Sequence, residues 1–217
     1  MIPARHFVQS KFISLGFLAI GIFLLMQVIL PLISFQIWTI GQSAGNQILV
    51  SPSRSSGRVL GVSVQNKDNF PIFVSSLTRN TEPTYSEFQL SVPKLKIESS
   101  TVYVDSNDLS KGLVQLPGSA MPGGKGNVFI TGHSSLNTFI PGQNAIFAKL
   151  TDLKKGDELL VEAANSKFVY KVVEIKVVDP SDLSVIPAPD EQGRYISLMT
   201  CVPPGLNYKR LVVLGKI

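Results

Sequence analysis

Cysteine is nearly absent from this chain. Its 217 residues hold one, Cys201, so no internal disulfide can staple the fold. Histidine is almost as scarce, with His6 near the start and His133 the only other. A structural zinc site takes four Cys or His ligands, and this chain has too few to supply one. Lys and Arg form no run: the net charge is +5, yet residues 88–217 carry 14 Lys+Arg against 12 Asp+Glu. A nucleic-acid binder gathers its basic residues on one face, so nucleic acid is excluded as a partner. The turns Pro117-Gly118 and Pro122-Gly123-Gly124 lack a following Gly-Lys-Ser/Thr and do not read as a phosphate cradle.

From Phe12 to Ile40 the chain has no Asp, Glu, Lys, Arg or His. As a straight helix this stretch is roughly 44 Å long, more than the ~30 Å hydrocarbon core of a bilayer. The spacing predicts one transmembrane helix over 12–40, with Pro31 as a kink that neighbouring Ser and backbone groups can satisfy. A cleaved signal peptide is the rival, but its apolar region is shorter and ends in small residues, and no Ala-x-Ala follows here. Arg5 and Lys11 precede the span, whereas the next basic residue is Arg54. Residues 1–11 are therefore expected to be a cytoplasmic tail, with the chain after 40 outside a cytoplasmic membrane crossed once. Outside the cell, an odd cysteine is either buried and inert or a free reactive thiol.

Residues 41–57 are rich in Gly, Ser, Asn and Pro and read as spacer. Within the linker or arm 41–87, the apolar residues of 58–77 fit two short strands around Asn66-Lys67-Asp68-Asn69, or equally an arm lying on the following domain. From Phe88 to the C-terminus the chain reads as one all-β domain of ordinary single-core size. Phe88, Leu90, Val92, Leu95 and Ile97 recur near every second position around Pro93, and further apolar runs follow at 101–104, 128–131, 159–161, 168–178, 195–200 and 211–214. Asn144 to Leu150 is the expected short helix, capped by Asn144, with Ile146, Phe147 and Leu150 on one side. About eight strands with one or two short helices imply a closed β-barrel.

Three reactive side chains fall where strands meet loops, the usual place for function on a sheet scaffold. Cys201 ends the run Tyr195–Thr200, His133 ends Val128–Gly132, and Arg210 begins Leu211–Leu214. A thiol, an imidazole and a guanidinium together suggest acyl transfer.

The motifs Thr131-Gly132-His133, Leu198-Met199-Thr200-Cys201 and Asn207-Tyr208-Lys209-Arg210-Leu211-Val212-Val213, in that order, resemble those of the sortases, membrane-anchored cysteine transpeptidases of bacterial surfaces. The stretch Leu113–Ser134 also resembles the segment leading to the family histidine, and the chain looks closest to the class D and E branches. The resemblance implies a sortase-like barrel over 88–217 in which Cys201 attacks a sorting signal resembling Leu-Pro-x-Thr-Gly, giving a thioacyl enzyme. His133 then serves as acid and base, and Arg210 donates to the oxyanion. Thr200, Thr131 and Leu198 are expected to shape the substrate pocket. The implied partners are secreted proteins with C-terminal sorting signals and a cell-surface amine acceptor, a wall precursor or a pilin lysine, with the membrane engaged through 12–40. No cofactor is expected. Some sortases are calcium-modulated, but the spacing of Asp179, Asp182, Asp190 and Glu191 matches no calcium loop. Gln115 stands where many relatives carry a histidine. If Cys201 and His133 keep ordinary affinities, the thiolate–imidazolium form is on the order of 1% near pH 7.5, and a nearby Arg210 would raise it.

Three rival readings compete. An L,D-transpeptidase resembles the Cys–His–Arg set, but its arginine follows the thiol by two residues, where this chain has Val202-Pro203-Pro204. A hydrolytic thiol protease ordinarily adds an Asn or Asp to orient the imidazole. An anchored β-barrel module with an inert thiol would not need Cys201 for its function.

Overall fold

The computed structural model describes residues 16–27, 29–30, 33–34, 36–37, 62–67, 70–75, 82–134, 145–204 and 208–217. The chain divides into two units, Met1–Gln47 and Ile48–Ile217. In the first, residues 16–27, 29–30, 33–34 and 36–37 are helical. Their large apolar side chains, Phe17, Leu24 and Ile37 among them, are exposed. The Ser34 hydroxyl donates to the Leu30 carbonyl at 2.7 Å, the back-bond by which a serine is satisfied in an apolar helix. Among the described residues no helix is long and apolar enough to cross a membrane. Pro31 and the ends of the expected 12–40 span lie outside the described residues, as do the spacer residues 41–57.

The second unit opens with β1, Val62–Lys67, and β2, Phe70–Ser75, paired antiparallel as a sheet of their own. Of the two readings left open for 58–77, the strand pair is the one that forms. Eight strands follow: β3 (Glu87–Val92), β4 (Ile97–Tyr103), β5 (Leu113–Gln115), β6 (Gly126–Thr131), β7 (Glu158–Ala163), β8 (Ser166–Val178), β9 (Arg194–Val202) and β10 (Lys209–Lys216). They close into a barrel in the order β10-β8-β7-β3-β4-β5-β6-β9. Only β4–β5 and β6–β9 are parallel.

Burial separates two kinds of wall. In β3 and β7 buried residues alternate with exposed or half-buried ones, because one face meets the core and the other meets water. In β6, β9 and β10 nearly every residue is buried, which is why those strands read as unbroken apolar runs. Their inner face supplies Val128, Ile130, Leu198 and Leu211 to the barrel core. Their outer face is covered by the connection between β8 and β9, whose Leu183 and Ile186 pack with Leu116, Phe129, Val178, Met199 and Val212.

The expected helix over Asn144–Leu150 does not form in the described part. Residues 146–149 are a turn, with bonds from Ala148 N–H to Ala145 and from Leu150 N–H to Phe147, followed by a 3-10 helix at Leu150–Asp152. The Phe147 N–H, which a helix starting at Asn144 would leave without an intrahelical partner, donates to the His133 carbonyl at 3.0 Å. Two further 3-10 turns occur at Pro93–Leu95 and Leu109–Lys111. Asn144 itself lies outside the described residues.

Candidate active site

The barrel's pairing carries the three candidate side chains to one rim. β9 and β10 are antiparallel, and Arg210 stands directly opposite Cys201. Side chains so placed have β-carbons about 4.5–5.5 Å apart on the same face of the sheet. β6 runs parallel to β9 with Thr131 level with Met199. The Gly132 N–H donates to the Met199 carbonyl at 3.1 Å, and the Thr200 hydroxyl donates to the Gly132 carbonyl at 2.8 Å. Two residues beyond Thr131, His133 therefore comes level with Cys201, two residues beyond Met199.

Gly132 is required by space. A β-carbon there would lie 2.5 Å from a Leu113 methyl and 2.8 Å from the Phe147 ring. Phe147 in turn holds the His133 carbonyl, so the chain on both sides of His133 is fixed by packing and by hydrogen bonds.

His133 and Arg210 are buried, whereas Cys201 is half-buried. Burial pushes the Cys201 thiol above its ordinary value, and the Arg210 guanidinium pulls partly the other way. Burial likewise pushes the His133 imidazole down, opposed by a hydrogen bond to the Leu109 backbone carbonyl. The expectation that Arg210 would enrich the thiolate thus meets a larger opposing effect, since desolvation disfavours both charged forms. Burial thus favours the neutral thiol and the neutral imidazole. One guanidinium N–H of Arg210 donates to the Lys209 carbonyl at 3.1 Å. Arg210 itself is held below its ordinary affinity by burial, opposed by Cys201, yet stays a cation at any ordinary pH.

The remaining pocket candidates divide by strand alternation. Thr131 shares the Cys201 face through its pairing with Met199. Leu198 and Thr200 alternate with Met199 and Cys201 and present their side chains to the opposite face, where both are buried. Sequence reasoning missed Met199 and Val212, which line the face that carries Cys201. Counting back by two from Cys201 and forward by two from Arg210 would have found them. Farther along the same face lies a cavity of about 150 Å³ between the β8–β9 connection and the sheet, bounded by Val185, Pro187, Val212, Leu214 and the ion pair of Lys176 with Glu174 at 2.9 Å.

The acidic residues of that connection already have protein partners. Asp179 pairs with Lys209 at 2.6 Å, Asp182 accepts the Ser184 N–H at 3.0 Å, and Asp190 accepts from the Tyr195 hydroxyl and the Gly193 N–H. Glu191 is exposed. Among the described residues no group of three or more His, Cys, Asp or Glu is placed to hold a metal ion. Gln115 is fully buried in β5, and its amide donates to the Ala120 carbonyl at 2.7 Å.

Comparison with known proteins agrees with this fold. The family model described as the sortase domain matches residues 90–217. Sortase D of Bacillus subtilis is 31% identical over 131 residues, covering 58% of this chain and 61% of that protein. Sortase SrtE1 of Streptomyces coelicolor is 36% identical over 106 residues, covering 45% of this chain and 28% of that protein. Each match thus spans less than two thirds of the curated relative's length. Among solved structures, sortase C1 of Streptococcus agalactiae aligns with a TM-score of 0.55 at 29% identity, covering 63% of this chain and 70% of that one. Sortase A of Corynebacterium diphtheriae aligns with a TM-score of 0.54 at 33% identity over 61% of each chain.

Proposed function

The chain belongs to the sortase family, and from that premise we propose that it is a cysteine transpeptidase that cleaves a sorting signal and joins the released carboxyl end to an amine. The observation that carries the reading is the pairing of Cys201 with Arg210 across β9 and β10, with His133 brought level by the parallel β6.

The chemistry follows from the resting state. His133 takes the Cys201 proton as the sulfur attacks the scissile carbonyl, forming a C–S bond and an oxyanion. Arg210 donates to that oxyanion, and a preorganised donor of this kind contributes roughly 10²–10³ in rate. The C–N bond then breaks, with His133 delivering its proton to the departing amine. The thioester is resolved when a second amine attacks: His133 removes its proton, the new C–N bond forms as the C–S bond breaks, and His133 returns the proton to the departing sulfur. Water in place of that amine gives hydrolysis. Because desolvation opposes both charged forms, proton transfer to His133 is coupled to bond formation at the sulfur.

The cavity between the β8–β9 connection and the sheet, with Val185, Pro187 and Leu214 in its wall, offers a place for the apolar residues of a Leu-Pro-x-Thr-like signal. Thr131 is the candidate closest to the thiol along β6. The substrates we assign are secreted proteins bearing such signals. The acceptor is a surface amine, from a wall precursor or a pilin lysine; one structural relative is described as a pilus-related sortase C of Group B Streptococcus. Residues 12–40 are assigned as a single membrane anchor with the barrel outside, on the strength of the charge gap and the exposed apolar helical side chains. No cofactor is assigned.

The test is mass spectrometry of the full chain in detergent with Leu-x-x-Thr-x peptides, with and without a glycine peptide. A Cys201-dependent thioacyl adduct that passes to the glycine amine is the expected result. Absence of any adduct, together with a thiol that resists alkylation in the folded protein, would refute the reading in favour of an anchored module.

A further inference from the structure

Resting on the role given to His133, we propose that the 3-10 turn Leu109–Lys111 is the orienting element for its imidazole, which makes Asp108 and Gly112, at the two ends of the turn, positioning residues for catalysis. A base that activates a nucleophile is ordinarily oriented by a third group. Here β5, which follows the turn, pairs with β6 and lays the Leu113 side chain against Gly132, so the turn stands beside His133 and its Leu109 carbonyl accepts from the imidazole. The same oxygen accepts the Gly112 N–H at 3.2 Å. A carbonyl has two lone pairs, so it can close its own turn and serve the imidazole at once.

The turn is built to hold that oxygen still. Asp108 caps it, accepting the Ser110 N–H at 3.2 Å and the Ser110 hydroxyl. The Asp108 N–H is itself held by the Ser106 hydroxyl at 3.1 Å, and the Ser106 N–H by the Gln115 carbonyl at 3.3 Å, which ties the turn to β5. At the other end Gly112 has φ +129°, a conformation that side-chain-bearing residues rarely adopt. His133 is fixed from its own side through Gly132 and Phe147. An acceptor on one ring nitrogen sets the tautomer and leaves the other nitrogen for the thiol and the substrate amine.

The experiment uses ¹⁵N-histidine-labelled full chain in detergent. With only two histidines, His6 serves as the internal reference. The wild type should show His133 in a single tautomer. Asp108→Asn keeps a capping acceptor and should keep both the tautomer and the activity. Asp108→Ala should mix the tautomers, lower kcat about tenfold with KM little changed, and move the acid limb of the pH profile to lower pH, because the lost acceptor favoured the protonated ring. Gly112→Ala should act in the same direction and replaces Asp108→Ala if that variant does not fold. The proposal is overturned if both alanine variants keep the single tautomer and the wild-type acid limb. It is overturned equally if Asp108→Asn is as damaging as Asp108→Ala, since charge and not the cap would then be at work. If the tautomer responds as stated but no peptide is transferred by the wild type, the orienting role stands and the assigned reaction falls.

Discussion

Replacing Gly132 by alanine adds one methyl group at the most crowded point beside the site. Carbon atoms in good contact sit about 3.5–4.0 Å apart. The new β-carbon would begin 2.5 Å from Leu113 Cδ2 and 2.8 Å from Phe147 Cδ2, so its neighbours must retreat by about 1 Å. Overpacking of this size costs about 1–3 kcal/mol, a drop in Tm on the order of 5–10 °C for a barrel of this length. Activity should suffer more than stability. Phe147 holds the His133 carbonyl at 3.0 Å, so a displaced ring drags the imidazole with it. A shift of about 1 Å in a positioned group can cost 10²-fold in rate. The assay pairs a thermal melt with kcat for peptide transfer. A Gly132→Ala protein that melts within a degree of the wild type and keeps its kcat would show that the Leu113–Gly132–Phe147 contact does not set the position of His133.

Two other perturbations probe the remaining couplings. Arg210→Ala removes the group that pulls the thiol affinity down, so the Cys201 pKa, already raised by burial, should rise further. The pH at which iodoacetamide reacts half-maximally should then move up, and kcat/KM should fall roughly 10²–10³-fold; an unmoved alkylation profile would separate Arg210 from the thiol. Thr200→Val removes the hydroxyl that bonds the Gly132 carbonyl at 2.8 Å and leaves that acceptor buried, so it should cost about 1–3 kcal/mol in denaturant unfolding, whereas Thr200→Ser should be milder. Equal losses for the valine and serine variants would assign the effect to packing and not to the bond.

The candidate site was legible in the sequence because it rests on scarce residues at strand ends. Cys201, His133 and Arg210 could each be placed beside an apolar run, and the barrel's closure brings those run ends to one rim. Which face each neighbour occupies was not legible. Leu198 and Thr200 flank the motif as closely as Met199 does, but strand alternation sends them inward, and β9 is buried on both faces, so its apolar run hides the period that would have told them apart. The helix expected at 144–150 was misread for a local reason: apolar spacing does not separate an α-helix from the tighter bonding three residues apart that the described residues use. The third group for His133 had no side-chain signature at all, because it is a backbone oxygen.

The position of β10 also bears on when the thiol acquires its partners. β9 emerges from synthesis before β10, yet β10 lies between β9 and β8 and brings Arg210 with it. His133 and Cys201 lie 68 positions apart in the chain, and the strands that lead to them are joined by the β6–β9 pairing. Contacts of such long sequence separation form late in folding. A nascent chain therefore carries its cysteine before Arg210 exists, and the two stand side by side only when the final seam of the barrel is sewn.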